Sequence, residues 1–447
     1  MEIPELEVEK LVYEGAGLAH FEGLAVFVKG AVQGDIVRAK VVKKNKSWLK
    51  AEIIEIIKPS PFRIKPLCPM SKPCGGCDLA FVDYEASVQL KDGIIKETFK
   101  NFEGLEFLPV IKSPENMGYR CKTQYPVFET ANSKKLLIGY YKEKSHEVVN
   151  IKYCPIQPSV IDEVVQFARE NWTLGGYVEK KHKGLLRHIN IRISSYGNEI
   201  LFLLVLNADK SVFEKNKSEI EKFADLLIAR FKNIKGVLVN LNPEKTNKIT
   251  GDETFLIRGE DFIFEKLKDS VFKIGANSFF QVNPKCAELL FDAASNLISN
   301  KGTLLDLYGG AGTIGIFLKD KVSKITLVEE NKEAVKLAKE NYKLNNVLKY
   351  EVFEGCAKDK MKAFVREKRL FENILIDPPR KGSDKETLEF VSKMTDSIVY
   401  ISCNPMTLKR DAELLLGFGF KFKSIQAVDM FPQTHHIECV ASFKREK

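Results

Sequence analysis

Three cysteines crowd into one short segment: Cys68, Cys74 and Cys77 lie in CPMSKPCGGC, and Cys154 comes far downstream in KYCPI. Four thiolates are what a tetrahedral zinc ion or an iron–sulfur cluster requires, and spacing alone does not separate these metals. A proline-bounded, glycine-rich loop gives CGGC little apolar packing, which argues against idle buried thiols. Cys121 is close in sequence and is the alternative to Cys154 as fourth ligand. Nine cysteines over 447 residues, an odd number, argue against a disulfide framework. Cys286, Cys356 and Cys439 read as ordinary core or surface residues.

Cys403 is placed differently. It follows the apolar run SIVYIS and stands just before a helix that Pro405 would open. A thiolate whose pKa is lowered by a helix N-terminus or by cationic neighbours is a soft nucleophile near neutral pH. Such a group can add to C6 of a pyrimidine and turn C5 into an enolate-like carbon able to attack an electrophilic methyl. The C5 proton must then leave and the thiol be eliminated, which needs a general base within hydrogen-bonding reach. DMFPQTHHIE offers Glu438, His435 and His436 for that task. A buried structural cysteine and packing histidines are the plainer reading of these residues taken alone.

A third constellation binds rather than reacts. In DLYGGAGTIG, Gly310, Gly312 and Gly315 form GxGxxG after a strand-like run, and acidic Glu329 ends the next strand, ready for ribose hydroxyls. The pattern fits a dinucleotide or S-adenosylmethionine. Asp306 at the loop's entrance tips the choice, because a carboxylate repels a pyrophosphate but suits an amino group or a sulfonium. Asp377 in DPPR also comes after a strand of the same region, at the carboxyl ends where such sheets place ligands.

The elements that must position these groups emerge from patterning. Residues 5–58 alternate apolar and polar side chains between glycines, which predicts a small all-β module. Lys40, Lys43, Lys44, Lys46 and Lys50 with Trp48 give it a basic, aromatic face that fits RNA or a solvated strand pair equally well. Proline-rich KPSPFRIKPLCP marks a stiff linker. Beyond it, residues 84–102 have helical spacing, and strands such as KLLIGYY and EILFLLVLN alternate with helices up to about residue 265, an α+β pattern. From Gly302 onward strands and helices alternate regularly, predicting a doubly wound parallel sheet, with SIQAVDMF and ECVASFK as an antiparallel hairpin at its edge. The domains expected are 1–59, 60–268 and 269–447, with helix 84–102 packing on the last.

The excess of 69 basic over 60 acidic residues, a net charge of +9, suits a polyanionic partner without demanding one. The N-terminus lacks a secretory pattern and no apolar run reaches the roughly 20 residues of a membrane span, so a cytoplasmic protein without a membrane is expected. Nothing in the chain asks for more than a monomer.

VYISCNPMTLKRD, DPPRKG, DLYGGAGTIG, SFFQVNP and DMFPQTHHIE, in this sequence's order of motifs, closely resemble the RNA 5-methyluridine (uracil-C5) methyltransferase family. The resemblance implies a Rossmann-like class I methyltransferase domain with Cys403 as nucleophile and Glu438 as base. It further implies that Gln281, Tyr308, Gly310, Thr313, Glu329, Asp306 and Asp377 line the S-adenosylmethionine and target-base pocket. Residues 1–58 are similar to a TRAM domain, an OB-like RNA-binding barrel, and the cysteine pattern is similar to members holding a [4Fe-4S] cluster, here on Cys68, Cys74, Cys77 and Cys154. Gln433 departs from the family, which often has histidine there. The layout resembles members acting on 23S rRNA, with the T-loop of tRNA as alternative. Two readings of other classes compete, an iron–sulfur nucleotide-dependent oxidoreductase and a non-catalytic RNA-binding protein.

Overall fold

The computed structural model describes residues 1–299 and 301–445. The alternating N-terminal segment forms a six-stranded sheet in the order Glu2–Glu7, Ile36–Lys44, Trp48–Lys58, Leu24–Lys29, Ala16–Phe21, Lys10–Leu11. Every second side chain turns inward, so Ile3, Val26, Val28, Val37, Leu49 and Ala51 make a core of their own. The proline-rich segment after it is pinned back onto this module. Fully buried Asp35 accepts hydrogen bonds from Arg63 Nε and Nη2, each at 2.7 Å, and from the Ser60 backbone N–H at 2.9 Å.

The middle of the chain builds a seven-stranded sheet in the order Val148–Asn150, Leu136–Tyr141, Lys122–Glu129, Leu186–Ile193, Ile200–Leu206, Ile234–Leu241, Glu253–Gly259. Leu186–Ile193 and Ile200–Leu206 are buried on both faces; the second is the continuous apolar run ILFLLVL expected of a central strand, while the first alternates apolar residues with buried Arg187, His188, Asn190 and Arg192. Helices Ser159–Asn171 and Lys210–Arg230 cover one face. On the other, Leu201, Leu203, Val205 and Leu238 join one core with Phe272, Phe291, Leu304 and Leu327, so the middle sheet packs directly on the C-terminal unit. The hairpin Phe262–Leu267 with Ser270–Gly275 lies within this joint core, and the boundary expected at residues 268 and 269 falls in its turn.

The third sheet has eight strands ordered Tyr350–Glu354, Lys324–Glu329, Thr303–Leu307, Asn373–Ile376, Ser397–Ser402, Glu438–Lys444, Lys421–Val428, Glu106–Ile111. The first five run parallel, and Glu438–Lys444 is antiparallel to both its neighbours. Two expectations need correction. The C-terminal hairpin does not end the sheet, because Glu106–Ile111 pairs in parallel with Lys421–Val428 and takes the edge. That strand, assigned from sequence to the middle unit, carries Pro109, which donates no hydrogen bond and so suits an edge; its carbonyl accepts from Gln426 Nε2 at 2.8 Å. The preceding helix Tyr84–Phe99 buries Leu90, Ile94, Ile95 and Phe99 in the same core as Leu415 and Phe422. Residues 84–111 thus complete the third sheet although they come before every strand of the second. Among the described residues no helix is long and apolar enough to cross a membrane.

Candidate active site

The order of the third sheet reverses between Thr303–Leu307 and Asn373–Ile376, and the loops leaving these adjacent strand ends open a crevice. The glycine loop lies there with three demands on its backbone. Tyr308, Gly310 and Gly312 have φ of 65°, 54° and 80°, and a tyrosine in the left-handed region is strained. The Tyr308 hydroxyl, 3.1 Å from Ser383 Oγ, ties it to the loop after DPPR. A Cβ on Gly309 would stand 2.6 Å from Leu327, and one on Gly315 2.8 Å from the Tyr342 hydroxyl, whereas one on Gly310 would meet nothing within 4 Å. Gly309 and Gly315 therefore let the loop close on the sheet, and Gly310 faces open space.

Two carboxylates hold the loop, Glu329 beside that space and Asp306 beneath it. Glu329 accepts the Gly310 N–H at 3.1 Å and the Asn331 N–H at 2.8 Å, fixing its orientation at the end of the second strand. Asp306 is fully buried; Oδ2 accepts the Gly315 N–H at 3.1 Å while Oδ1 has no partner. Burial pushes its pKa up to about 7, with the charge of Glu329 adding and the Gly315 N–H opposing. Asp377 is likewise raised to about 7 by burial and then by Asp306.

Cys403 and Glu438 come together through strand register. Ser402 pairs with Cys439 in the antiparallel ladder, so the next rung sets Cys403 opposite Glu438. Asn404 caps the helix Pro405–Gly417 by accepting the Met406 N–H at 3.0 Å, and donates to the Arg380 carbonyl at 3.3 Å. The helix expected to lower the thiol pKa is present, yet burial, then the charge of Glu438, push Cys403 up to about 11, with Arg380 the main opposing charge. Desolvation outweighs the helix terminus because the thiol sits before the cap, in a half-buried pocket beside carboxylates. Glu438 itself is raised well above the ordinary carboxyl range by burial and by Asp377, again opposed by Arg380. Arg380 Nη2 lies 3.5 Å from His436 Nε2, and burial, then the neighbouring His435 and Arg380, lower His436 to about 4, leaving it neutral.

A single cavity of about 1170 Å³ joins these parts. Gln281, Tyr308, Gly310, Thr313, Glu329, Asp377, Cys403 and Glu438 all line it, while Asp306 lies just beneath the loop. Cys68, Cys74, Cys77 and Cys154 line it too. Cys74 and Cys77 pack against the small cluster that holds Cys154, and burial, then the charges of Cys154, Cys74 and Cys68, push the Cys77 thiol up to about 12. Cys121 is elsewhere, within the middle core with its S–H directed at the Gln281 carbonyl at 3.7 Å. Among the described residues no three His, Cys, Asp or Glu side chains converge as a metal-holding group.

Several residues of this region carry no signal of their own in the sequence. Phe279, 70% exposed, stands at the cavity mouth as a ring open to stacking. Arg380 is visible there only as part of DPPR. Lys91 is buried with its Nζ 2.5 Å from Asp429 Oδ1 and 3.2 Å from the Phe431 carbonyl, holding the start of the loop that ends in Glu438. Nothing local to QLKDG marks that lysine as buried.

A mostly parallel sheet with a glycine loop, a strand-end acid and a cavity at its switch point defines the class I methyltransferase architecture, and comparison with known proteins agrees. Residues 83–446 match the family model described as tRNA (Uracil-5-)-methyltransferase, and residues 2–54 match the TRAM domain. The chain is 35% identical to uncharacterised RNA methyltransferases of Oceanobacillus iheyensis and of Halalkalibacterium halodurans, each alignment covering 98% of this chain and 96% of the relative. The crystal structure of Pyrococcus abyssi tRNA (uracil-54, C5)-methyltransferase in complex with S-adenosyl-L-homocysteine shares the fold, with a TM-score of 0.77, 24% identity, and coverage of 98% of this chain and 100% of that one. The chain belongs to the tRNA (uracil-5-)-methyltransferase family, and is an S-adenosylmethionine-dependent RNA (uracil-5-)-methyltransferase carrying a TRAM domain. Membership sets aside the oxidoreductase and the non-catalytic RNA-binding readings.

Proposed function

We propose that the protein methylates C5 of a uridine in folded RNA through a covalent adduct between Cys403 and C6, with Glu438 as the base that ends it. The observation that carries this reading is the register of Ser402 with Cys439, which sets Cys403 and Glu438 on facing strand ends at one cavity. S-adenosylmethionine, when bound, supplies an electrophilic methyl on a sulfonium. Cys403, having lost its proton to solvent, adds through sulfur to C6, and the ring's displaced electron pair makes C5 nucleophilic towards that methyl. Glu438 then takes the C5 proton while the carbon–sulfur bond breaks and its electron pair returns to the thiolate. A carboxyl whose proton affinity is raised by burial is a strong base once ionised, which suits Glu438 to this step. Arg380, which opposes the raised pKa of both groups, favours their ionised forms.

Asp306, Tyr308, Gly310, Thr313 and Glu329 are assigned to the methyl donor, with Gln281 and Asp377 between donor and uracil. Support comes from the open space over Gly310, from Glu329 lining the cavity beside it, and from buried Asp306 beneath the loop, whose Oδ1 has no hydrogen-bond partner. Cys68, Cys74, Cys77 and Cys154 are assigned to a [4Fe-4S] cluster. Support comes from the four thiols lining one cavity, with Cys74 and Cys77 packed against the small apolar cluster that holds Cys154, and from four thiolates being the number such a cluster takes. The N-terminal module, residues 1–59, would grip phosphates with exposed Lys43, Lys44 and Lys46 while Lys43 lies over the Trp48 ring at 5.6 Å. The middle unit, 60–268, would hold the cluster and the RNA, and 269–447 with helix 84–99 would carry the chemistry, in a cytoplasmic monomer.

The substrate assigned is 23S rRNA. A second reading, transfer RNA, is favoured by the description of the matching family model. Purified, iron-loaded protein and its Cys403→Ala and Glu438→Gln variants, incubated with methyl-labelled S-adenosylmethionine and each unmodified RNA, test both points. Cysteine-dependent 5-methyluridine in one RNA, with adduct accumulating in Glu438→Gln, is expected. Labelling by Cys403→Ala at the rate of the parent enzyme would refute the mechanism.

A further inference from the structure

The loop from Asp429 to Glu438 is irregular, and its shape decides where the proposed base points. Its beginning is fixed by Lys91 and by Asn283, whose Nδ2 donates to the Met430 carbonyl at 3.1 Å. Its end is fixed from the cysteine segment. Asp78, the residue after Cys77, accepts the His435 backbone N–H on Oδ1 at 2.8 Å and pairs with His435 Nδ1 through Oδ2. Leu79 donates its N–H to the Gln433 carbonyl at 3.0 Å, and Gln433 is held at φ 69°, a left-handed conformation that a side chain adopts only when its surroundings impose it. The Tyr119 hydroxyl, next to the cysteine cavity, donates to the Pro432 carbonyl at 2.9 Å.

The N-terminal module closes the same junction. The Tyr13 ring meets His435 edge-on with centroids 5.9 Å apart, and a Cβ on Gly15 would stand 3.1 Å from His435 and 3.2 Å from Asp78. Three parts of the chain, the β-module, the cysteine loop and the catalytic loop, thus meet on one carboxylate–imidazole pair. His436, the next residue, faces Arg380, and Glu438 lies two residues further.

We infer that Asp78 is a positioning residue: through His435 it fixes the loop that presents His436 and Glu438 to Cys403, so that the folded state of the four-cysteine loop is transmitted to the reacting groups. The inference rests on the reading of Cys403 as nucleophile and Glu438 as base. A displacement of about 1 Å in a reacting group can cost about 100-fold in rate, which sets the size of the effect.

The test compares full-length, iron-loaded Asp78→Ala and Asp78→Asn with the parent enzyme. Four quantities are measured: iron and sulfide content, kcat and KM for RNA, the fraction of protein trapped as the Cys403–RNA adduct on a denaturing gel, and amide exchange over residues 433–438. Asp78→Ala should keep its iron and its KM, lose about 100-fold in kcat, exchange faster over 433–438 and accumulate adduct as Glu438→Gln does. Asp78→Asn, which still offers an oxygen to the His435 N–H, should recover most of the rate. Unchanged kcat and exchange would overturn the inference, as would losses that track iron content in both variants. Should Asp78→Ala not fold, His435→Ala severs the same contact from the other side and is judged by the same outcomes. If Glu438→Gln turns its adduct over at the parent rate, the reading of the base fails, while exchange at 433–438 still decides whether Asp78 holds the loop.

Discussion

Asp306 combines complete burial, one unpartnered oxygen and a pKa raised to about 7. From the ordinary value of 3.8, the rise to about 7 corresponds to roughly 4 kcal/mol, at about 1.36 kcal/mol per pH unit. The sign is set by proton binding. Between about pH 4 and 7 the folded protein keeps this proton while the unfolded chain has lost it, so stability falls as pH rises and the penalty is complete above about pH 7. Asp306→Asn keeps an acceptor for the Gly315 N–H and carries no titrating charge. The variant should therefore unfold at higher temperature than the parent at about pH 8, by the equivalent of at most about 4 kcal/mol, with the gap closing towards about pH 4. It should also bind S-adenosylmethionine more weakly, whereas the parent should bind this cation better as pH rises through about 7. Thermal unfolding at several pH values together with calorimetric titration of the donor measures both. Parallel pH profiles for the two proteins, or a variant less stable than the parent in the alkaline range, would refute the reasoning that this carboxylate is kept at the expense of stability for its ligand.

Lys91→Met should destabilise the third-sheet unit by about 3–5 kcal/mol, because it leaves Asp429 buried and unpaired, and Lys91→Met with Asp429→Leu should recover most of that in the same unfolding assay. Arg380→Ala removes the principal charge lowering the Cys403 pKa, so alkylation of that thiol at fixed pH should slow by about threefold to tenfold; faster alkylation would contradict the electrostatics. Cys154→Ser should abolish most of the bound iron while Cys121→Ser leaves it intact, measured by iron and sulfide content, since Cys154 lines the cavity with the other three cysteines while Cys121 lies in the middle core.

Much of this protein is written in local patterns. Alternation over residues 5–58 specifies the strands of the N-terminal module because inward and outward positions differ by one residue. Strand, glycine loop, helix and acid from Thr303 to Glu329 specify a ligand loop, since backbone torsions at Gly310 and Gly312 are open to glycine at little steric cost. The pairing of Cys403 with a base is legible as chemistry, yet three candidates stand within DMFPQTHHIE, and the thiol's high pKa has no sign in the sequence because it comes from burial.

Tertiary structure decided what depends on partners distant in sequence. The ladder register singles out Glu438 on the rung facing Cys403, because a one-residue slip would turn it to the other side of the sheet. Proximity to the Cys74 loop went to Cys154 through the fold of residues 151–156, while Cys121 went into the middle core. Glu106–Ile111 joined the third sheet rather than the second, because a strand's hydrogen bonds name no particular neighbour until packing offers one. The same holds for Lys91, Asp78 and Tyr13. Their side chains look like surface residues in sequence, and only a chain whose C-terminal loop folds back onto its first hundred or so residues gives each of them a partner there.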